Sequence, residues 1–314
     1  MRIPELMYLS LNQYLRSVFG ERVQKISLDA GFTCPNRDGT KGRGGCIYCD
    51  ARGSGTGAYG SGKDIAEQMK AGINWAGRRY GARKFIAYFQ SFSNTYASIG
   101  RLEAVYTQAL VGPDVVGLSI GTRPDCVDKE RLELISRLGE GRMVWMEYGL
   151  QSASDATLAG INRKHTVSDF VRAVEISKRY GLMTCAHVIF GLPGEGRSEM
   201  EDTIRLLANL HVEGIKFHHL YIVENTELNR LYRAGNYKPI TQEDYVEMVA
   251  WALAILPKGT VIQRLTGDPP RNELVTPDWS LDKKQTIAMI HDRIKNVVTV
   301  HGITTPVLPQ PTGL

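Results

Sequence analysis

The chain has 314 residues, of which 43% are hydrophobic and 23% charged, and a formal net charge of +5. These values describe an ordinary globular protein, with one large α/β barrel domain or two smaller domains. The longest strongly apolar run, residues 248–256, is too short to span a bilayer, and residues 1–5 lack the apolar core of a signal peptide. We therefore expect a cytoplasmic protein without membrane contact, whose mild positive charge permits a polyanionic partner without establishing one.

The first elements follow from an amphipathic pattern and a short alternating one. Leu, Tyr and Val recur at helical spacing over Leu6–Phe19, which predicts a helix, and Gln24–Asp29 alternates like a β-strand. A glycine-rich stretch then precedes a helix predicted over 65–80. Within it, Gly57–Lys63 imitates a phosphate-binding loop, but the next residue is Asp64 instead of Ser or Thr, and no apolar strand leads into it. We therefore reject a nucleotide hydrolase.

Strands and helices then alternate regularly. Strands are predicted at 84–89, 115–120, 143–150, 183–190 and 215–220, and helices at 101–110, 129–138, 166–180 and 199–210. Together with the first strand they form six βα units, which predicts an α/β fold with a parallel sheet, outer helices and the curl of a partial (β/α)6 barrel. In such barrels the chemistry lies at the carboxyl ends of the strands.

The pattern changes after residue 225. Helices predicted at 243–256 and 281–295 flank a possible strand at 260–265, and the Pro-rich tail from residue 301 is expected to be disordered or to lie on the surface. We therefore divide the chain into a barrel core with an N-terminal helix, residues 1–225, and a C-terminal α/β extension with the tail, residues 226–314.

Three of the five cysteines lie close together in the loop after the first strand, as Cys34, Cys46 and Cys49. Such a group in a chain without secretory features suggests metal chemistry rather than disulfides. A zinc loop is the alternative, but zinc usually takes four ligands and no His lies nearby in sequence. Three thiolates suit a [4Fe–4S] cluster with one iron left open, because fully Cys-ligated clusters use four. Tyr48 is placed to shield the cluster or to stack on a bound base.

This loop, which ends in Cys-x-aromatic-Cys, resembles the radical S-adenosylmethionine (SAM) superfamily. Eleven residues separate Cys34 from Cys46, unlike the common C-x3-C-x2-C pattern, and this spacing resembles the YhcC/YtqA-type subgroup. The loop is also similar in style to the elongator-like and coproporphyrinogen-dehydrogenase-like branches. The resemblance implies a [4Fe–4S] cluster that binds SAM, its reductive cleavage to a 5′-deoxyadenosyl radical, and a reductant such as flavodoxin or ferredoxin.

A second motif spans the end of the fourth barrel strand. Glu147-Tyr-Gly-Leu-Gln-Ser, followed by Arg163-Lys-His-Thr, resembles the E-x-G-[VL]-Q-S…R-x-H-T pattern of several radical SAM families. That resemblance implies that Gln151 contacts the SAM ribose and that Arg163, twelve residues later, lies near the SAM carboxylate. Glu147, which opens the motif, is a further candidate for cofactor binding. An amide pairs with hydroxyl groups, and a guanidinium binds a carboxylate with two parallel hydrogen bonds.

Further SAM contacts are implied at the ends of other strands. Gln90 or Asn94 stands where many members carry an acid for the SAM amino group. His187 stands where coproporphyrinogen-type enzymes have an Asp for the ribose, and an interior histidine is the alternative reading. Arg123 and Asp125 either contact SAM or substrate, or form a turn and a helix cap.

The resemblance favours a tRNA substrate, with the side chain on wobble uridine as the target. The basic residues Arg78, Arg79, Arg83 and Lys84 are the candidate phosphate contacts. The alternatives are a radical oxidoreductase that acts on a small molecule such as a tetrapyrrole, and a non-catalytic, metal-containing RNA-binding protein. The sequence leaves the oligomeric state open.

Overall fold

The computed structural model describes residues 8–50, 53 and 62–301, with side chains to residue 295. Its strands are β1 (Leu9–Ser10), β2 (Val23–Leu28), β3 (Lys84–Phe89), β4 (Val115–Thr122), β5 (Met143–Gln151), β6 (Met183–Phe190), β7 (Gly214–His219), β8 (Ile222–Val223), β9 (Val261–Arg264) and β10 (Leu274–Thr276). Its helices are α1 (Leu11–Phe19), α2 (Ile65–Tyr80), α3 (Ile99–Ala109), α4 (Lys129–Leu138), α5 (Asp155–Gly160), α6 (Val167–Arg179), α7 (Arg197–Asn209), α8 (Glu227–Arg233), α9 (Gln242–Ile255) and α10 (Lys283–His301).

Eight strands form one parallel sheet in the order β1-β9-β7-β6-β5-β4-β3-β2. The sheet curls into a half-barrel, so that Lys25 on β2 reaches Gln263 on β9, with the Nζ donating to Oε1 at 2.8 Å. The predicted partial (β/α)6 barrel is confirmed for β2 to β7, and the structure adds β9 and β1 beside β7. Strands β8 and β10 form a separate antiparallel pair.

The start of the chain corrects the prediction of one helix over Leu6–Phe19. Strand β1 comes first and pairs with β9, and α1 begins only after Ser10, whose side chain caps the amide of Gln13. Pairing of Leu9 with Val261, 252 residues later, is a tertiary effect that local periodicity does not predict. Helix α1 packs on an apolar layer that includes Leu9, Trp145 and Val261. The amino end of the barrel is therefore filled, which leaves the carboxyl end for a ligand.

The outer helices bury their apolar sides against the sheet, as the predicted βα pattern requires. Helix α2 covers the predicted range, and Asp64 caps it through a hydrogen bond from the Glu67 amide. The cap explains why an acidic residue follows Lys63, since Asp is favoured before the first helical turn. Residues 57–61, most of the phosphate-loop imitation, lie outside the described residues, as does the tail from residue 302.

The C-terminal part completes the same sheet. Strand β9 lies between β7 and β1, α9 packs on α7, and α10 packs on α9. The predicted strand and both predicted helices are present, whereas α5, α8, β8 and β10 had no counterpart among the predictions. The division at residue 225 stays a prediction. None of the helices described here has the length and apolar character needed to cross a bilayer.

Candidate active site

A cavity of about 560 Å³ lies at the carboxyl ends of the strands. The loop after β2 forms one wall, and residues at the ends of β3 to β7 and β9 form the others. Its volume falls in the range of small-molecule and cofactor sites, roughly 300–1,000 Å³. The cavity therefore lies at the carboxyl ends of the strands, where the sequence analysis predicted the functional residues.

All three cysteines of the loop line this cavity. The amide of Cys49 donates to the carbonyl of Cys46 at 3.0 Å, and the amide of Arg37 donates to that of Cys34 at 2.8 Å, so both parts of the loop turn tightly. Burial raises the pKa of Cys49 to about 11, and the nearby Arg37 opposes that shift. Cys126 and Cys185 are buried and do not line the cavity, which supports their exclusion as ligands.

Two residues of the cysteine loop, Asn36 and Arg37, place hydrogen-bond donors near its sulfur atoms. The sequence analysis assigned no role to either residue. Asn36 is fully buried; its Nδ2 donates to the carbonyl of Asn162 at 2.6 Å and lies 3.8 Å from Cys46 Sγ. Arg37 Nη2 lies 3.1 Å from Cys49 Sγ. Asn162 in turn donates to the carbonyl of Gly45 at 2.7 Å. The sequence did carry a signal for Asn36 and Arg37, because both lie between Cys34 and Cys46. Hydrogen-bond donors to thiolates tune the reduction potential of iron–sulfur clusters.

The predicted SAM residues Gln151 and Arg163 meet above Gly149. Arg163 Nη2 donates to the Gly149 carbonyl at 3.0 Å, and its Nη1 lies 3.5 Å from Cys46 Sγ. A Cβ added at Gly149 would lie 2.5 Å from Arg163 Nη2 and 2.6 Å from Gln151 Nε2. Glycine at this position therefore allows the two side chains to reach the cavity together. Gln151 itself has a φ of 72°, which turns the chain sharply at the end of β5.

Several buried polar atoms around the cavity have no hydrogen-bond partner among the described residues. They include Tyr48 Oη, Gln151 Oε1 and Arg163 Nε. An unpaired buried polar atom costs roughly 1–3 kcal/mol, so these atoms are suited to pairing with a bound group. All three residues line the cavity beside the cysteines. The donor set thus fits a thiolate-held cluster with a polar organic ligand next to it.

The arrangement of the ligating groups also bears on the kind of metal. Within the described ranges, no three His, Cys, Asp or Glu side chains converge closely enough to hold one metal ion. Cysteines of a [4Fe–4S] cluster each bind a different iron, so their sulfur atoms need not converge on one point. Zinc usually takes four ligands around one centre, whereas this loop supplies three thiolates, which suit a cluster with one open iron.

Glu147 lies at the floor of the cavity and is fully buried among cations. Its Oε1 lies 2.6 Å from Lys25 Nζ, and its Oε2 contacts Lys216 Nζ and lies 2.9 Å from His187 Nε2. Although burial alone would raise it, Lys216 and Lys25 hold the pKa of Glu147 well below its usual range. Both oxygens are thus engaged with the protein, and a contact from Glu147 to SAM stays a prediction.

The two candidates for the SAM amino group differ in position. Gln90 lines the cavity at the end of β3. Asn94 is fully buried, does not line the cavity, and donates from Nδ2 to the Gly121 carbonyl at 2.7 Å. Its Oδ1, the atom that could accept from an amino group, has no hydrogen-bond partner among the described residues. A contact of either residue with SAM stays a prediction, and Gln90 is the one that lines the cavity.

Arg123 and Asp125 form a buried pair beside the cysteine loop. Two parallel hydrogen bonds of 2.9 Å join the guanidinium to the carboxylate, and Lys41 reaches the same carboxylate at 2.6 Å. Arg123 Nη1 also donates to the Arg163 carbonyl at 2.8 Å. Arg123 lines the cavity whereas Asp125 does not, so the pair links the cavity wall to the loop.

His187 and His218 line the cavity, with ring centroids 5.8 Å apart. Burial, with help from Lys216, lowers the pKa of His187 to about 4 despite its bond to Glu147. His219 also lines the cavity, bonds to Thr266 and Ser280, and lies against Trp279, 4.2 Å between ring centroids. The adjacent histidines thus make separate contacts, as the alternation of a strand predicts.

Comparison with known sequences decides the family. The profile of the Radical SAM superfamily matches residues 36–207, and that of the Radical_SAM C-terminal domain matches residues 212–296. The chain belongs to the radical SAM superfamily. Radical SAM enzymes use a [4Fe–4S] cluster and SAM, so this protein is an enzyme of that type, and the alternative of a non-catalytic RNA-binding protein is set aside.

The chain is similar to YtqA of Bacillus subtilis, 38% identical over 298 residues that cover 95% of this chain and 92% of YtqA. It is 36% identical to YhcC of Escherichia coli over 294 residues, 93% of each chain. These relatives place it in a YhcC-type radical SAM subgroup. A tRNA uridine(34) acetyltransferase of Methanocaldococcus jannaschii is 30% identical over 166 residues, 51% of this chain and 30% of that protein.

The solved structure of Methanocaldococcus infernus Elp3 shares the fold, with a TM-score of 0.66 at 18% identity. The match covers 90% of this chain and 64% of that one. At this identity the likeness concerns the fold alone. It agrees with the curled parallel sheet described above.

Proposed function

We propose that this radical SAM enzyme modifies a tRNA base, with the side chain on wobble uridine as the target. The observation that carries the proposal is a relative that shares half of this chain, a tRNA uridine(34) acetyltransferase. The name of that relative places its reaction on uridine 34 of a tRNA, so a related base is the simplest substrate to expect.

Within this proposal, Cys34, Cys46 and Cys49 hold the [4Fe–4S] cluster. Gln151 and Arg163 bind SAM, and their unpaired buried atoms Oε1 and Nε supply the hydrogen bonds. When bound, the cluster and SAM supply the one-electron chemistry that removes a hydrogen atom from a substrate. The chain's own task is to orient the substrate in the cavity and to exclude other hydrogen donors.

The outer surface of the cysteine loop has the charge that a polyanion needs. Arg43 and Lys164 are exposed and, in the part of the chain described here, have no ion-pair partner. Lys164 lies against the loop, since a Cβ on Gly42 would approach Lys164 Cγ to 3.5 Å. We call Arg43 and Lys164 the loop cations. They stand beside the cavity wall that Gly45 and Cys46 line, where phosphates of an RNA would pass.

The residues predicted from sequence to contact phosphates are less well placed. Arg83 pairs with Glu21 at 3.0 Å and Lys84 begins β3, so both lie at the amino end of the sheet. Arg78 and Arg79 end α2 at the same level. The cavity opens at the other end, so we move the proposed phosphate contacts to the loop cations.

The test compares tRNA nucleosides by mass spectrometry in cells with the native gene, without it, and with a Cys46→Ala variant. We expect one modified uridine to disappear in the second and third cells, with its precursor accumulating. Identical nucleoside sets in all three would contradict the tRNA proposal. The enzyme also needs a one-electron donor, and flavodoxin or ferredoxin is the class that we propose.

A further inference from the structure

The cavity wall formed by β7 and β9 carries an excess of positive charge. Lys216 and Arg264 both line the cavity on this side, together with His218 and Tyr221. We call Lys216 and Arg264 the wall cations. They belong to neighbouring strands and are paired in the sheet register, so the two charges lie side by side.

The negative charge near them is too small to balance them. Glu147 is the carboxylate in contact with Lys216, and it is shared with Lys25. Over the whole cavity lining, five cations outnumber three carboxylates, which leaves a sum of +2; they are Arg37, Arg123, Arg163, Lys216 and Arg264 against Asp50, Glu147 and Asp268. The neighbouring His187 and His218 add no charge at neutral pH, because burial lowers the pKa of each.

Arg264 has no partner of its own in the part of the chain that the structure describes. Among the residues described, it makes no hydrogen bond and no ion pair, although it is partly buried in the cavity wall. Asp268, four residues later on the same wall, pairs instead with Lys283 at 3.3 Å. Charged groups taken from water are normally paired, so an unpaired guanidinium in a cavity is a site for an anion.

We propose that the wall cations bind an oxyanion, a carboxylate or a phosphate group, that the substrate carries into the cavity. The inference rests on the proposed function and deepens it, because it names the charge of the group recognised. A guanidinium binds such a group with two parallel hydrogen bonds, and the adjacent ammonium adds a third. The SAM carboxylate is assigned elsewhere, to Arg163 beside Cys46.

The test measures anion binding to the cluster-loaded protein under anaerobic conditions. Isothermal titration with inorganic phosphate and, separately, acetate gives the affinity for each source of the oxyanion. We expect binding of at least one, weakened about tenfold or more in Arg264→Gln, since a hydrogen bond to a charged group is lost. Arg264→Lys should keep part of the affinity. Arg271→Gln is the matched control, an exposed arginine seven positions later that does not line the cavity.

A measurement of SAM affinity in the same variants distinguishes a role of Arg264 in anion binding from a role in the SAM site. SAM affinity should be unchanged in Arg264→Gln. The inference is overturned if the native protein binds neither probe, if Arg264→Gln and Arg264→Lys both bind like the native protein, or if Arg264→Gln loses SAM binding instead. No RNA enters these titrations, so a failure of the tRNA proposal in the nucleoside comparison would leave their result intact.

Discussion

Arg37 Nη2 lies 3.1 Å from Cys49 Sγ, and the same nitrogen donates to the carbonyl oxygens of Cys49 and Asp50. One guanidinium thus fixes the end of the cysteine loop and places a positive charge beside a proposed cluster ligand. The Arg37 guanidinium lies over the Phe92 ring, 5.3 Å from its centroid. The guanidinium is therefore held from two sides, with its charge beside the sulfur.

This relationship predicts a change in the reduction potential of the cluster in Arg37→Gln. A donor and a positive charge stabilise the reduced cluster, which is more negative, so their loss should lower the potential by on the order of 50–100 mV. Spectroscopic redox titration measures it. Arg43→Gln changes an exposed arginine of the same loop and should leave the potential unchanged. Equal potentials in all three proteins would show that Arg37 does not tune the cluster.

The ligand assignment predicts which cysteines the cluster needs. Cys34→Ala, Cys46→Ala and Cys49→Ala should each abolish the broad visible absorption of the anaerobically purified protein. Cys126→Ala and Cys185→Ala should retain it, because neither residue lines the cavity. Loss of absorption in either control, with the loop variants still coloured, would overturn the assignment.

Features that depend on local interactions could be predicted from the sequence, whereas contacts between residues far apart in sequence could not. Strand β3 and helix α2 were predicted to the residue, because a short apolar run and a cap at Asp64 are local signals. The three cysteines were found because they lie in one loop. The charge network was not found, since Glu147 meets Lys25 and Lys216 across separations of 122 and 69 residues. Only the curl of the sheet brings them together.

The role of Gly149 predicts an effect on SAM binding without loss of the cluster. In Gly149→Ala the new Cβ would displace Arg163 Nη2 and Gln151 Nε2, which lie 2.5 and 2.6 Å from its position. We expect SAM affinity to fall by about 1–3 kcal/mol, measured by equilibrium dialysis, because two hydrogen-bonding groups are moved. Gly160→Ala is the control, since nothing lies within 4 Å of its Cβ position. Unchanged SAM affinity in Gly149→Ala would refute this account.

The Arg123–Asp125 pair predicts a pH-dependent contribution to stability. Although burial alone would raise it, Arg123 and Lys41 lower the pKa of Asp125 to about 2. A carboxylate with a lowered pKa stabilises the fold above its unfolded pKa of about 3.9, and loses that contribution as the pH falls towards 2.

The test measures the free energy of unfolding in urea. Asp125→Asn should cost at least about 2 kcal/mol between pH 5 and 7, more if Arg123 is left unpaired, and this cost should shrink below pH 4. The control Asp292→Asn removes a carboxylate that is 75% exposed, and should change stability by less than about 0.5 kcal/mol. A cost for Asp125→Asn that does not depend on pH would contradict the linkage.

The loop cations predict the salt dependence of tRNA binding. Each phosphate that a protein neutralises releases counterions, so log affinity falls linearly with log salt concentration. Reversing both charges, Arg43→Glu with Lys164→Glu, should weaken binding and reduce that slope by about two if each side chain contacts one phosphate. Arg78→Glu with Arg79→Glu is the matched control at the other end of the sheet, and should leave the slope unchanged. If only the control pair altered the slope, RNA would have to approach the amino end of the barrel, and the loop cations would lose their proposed role.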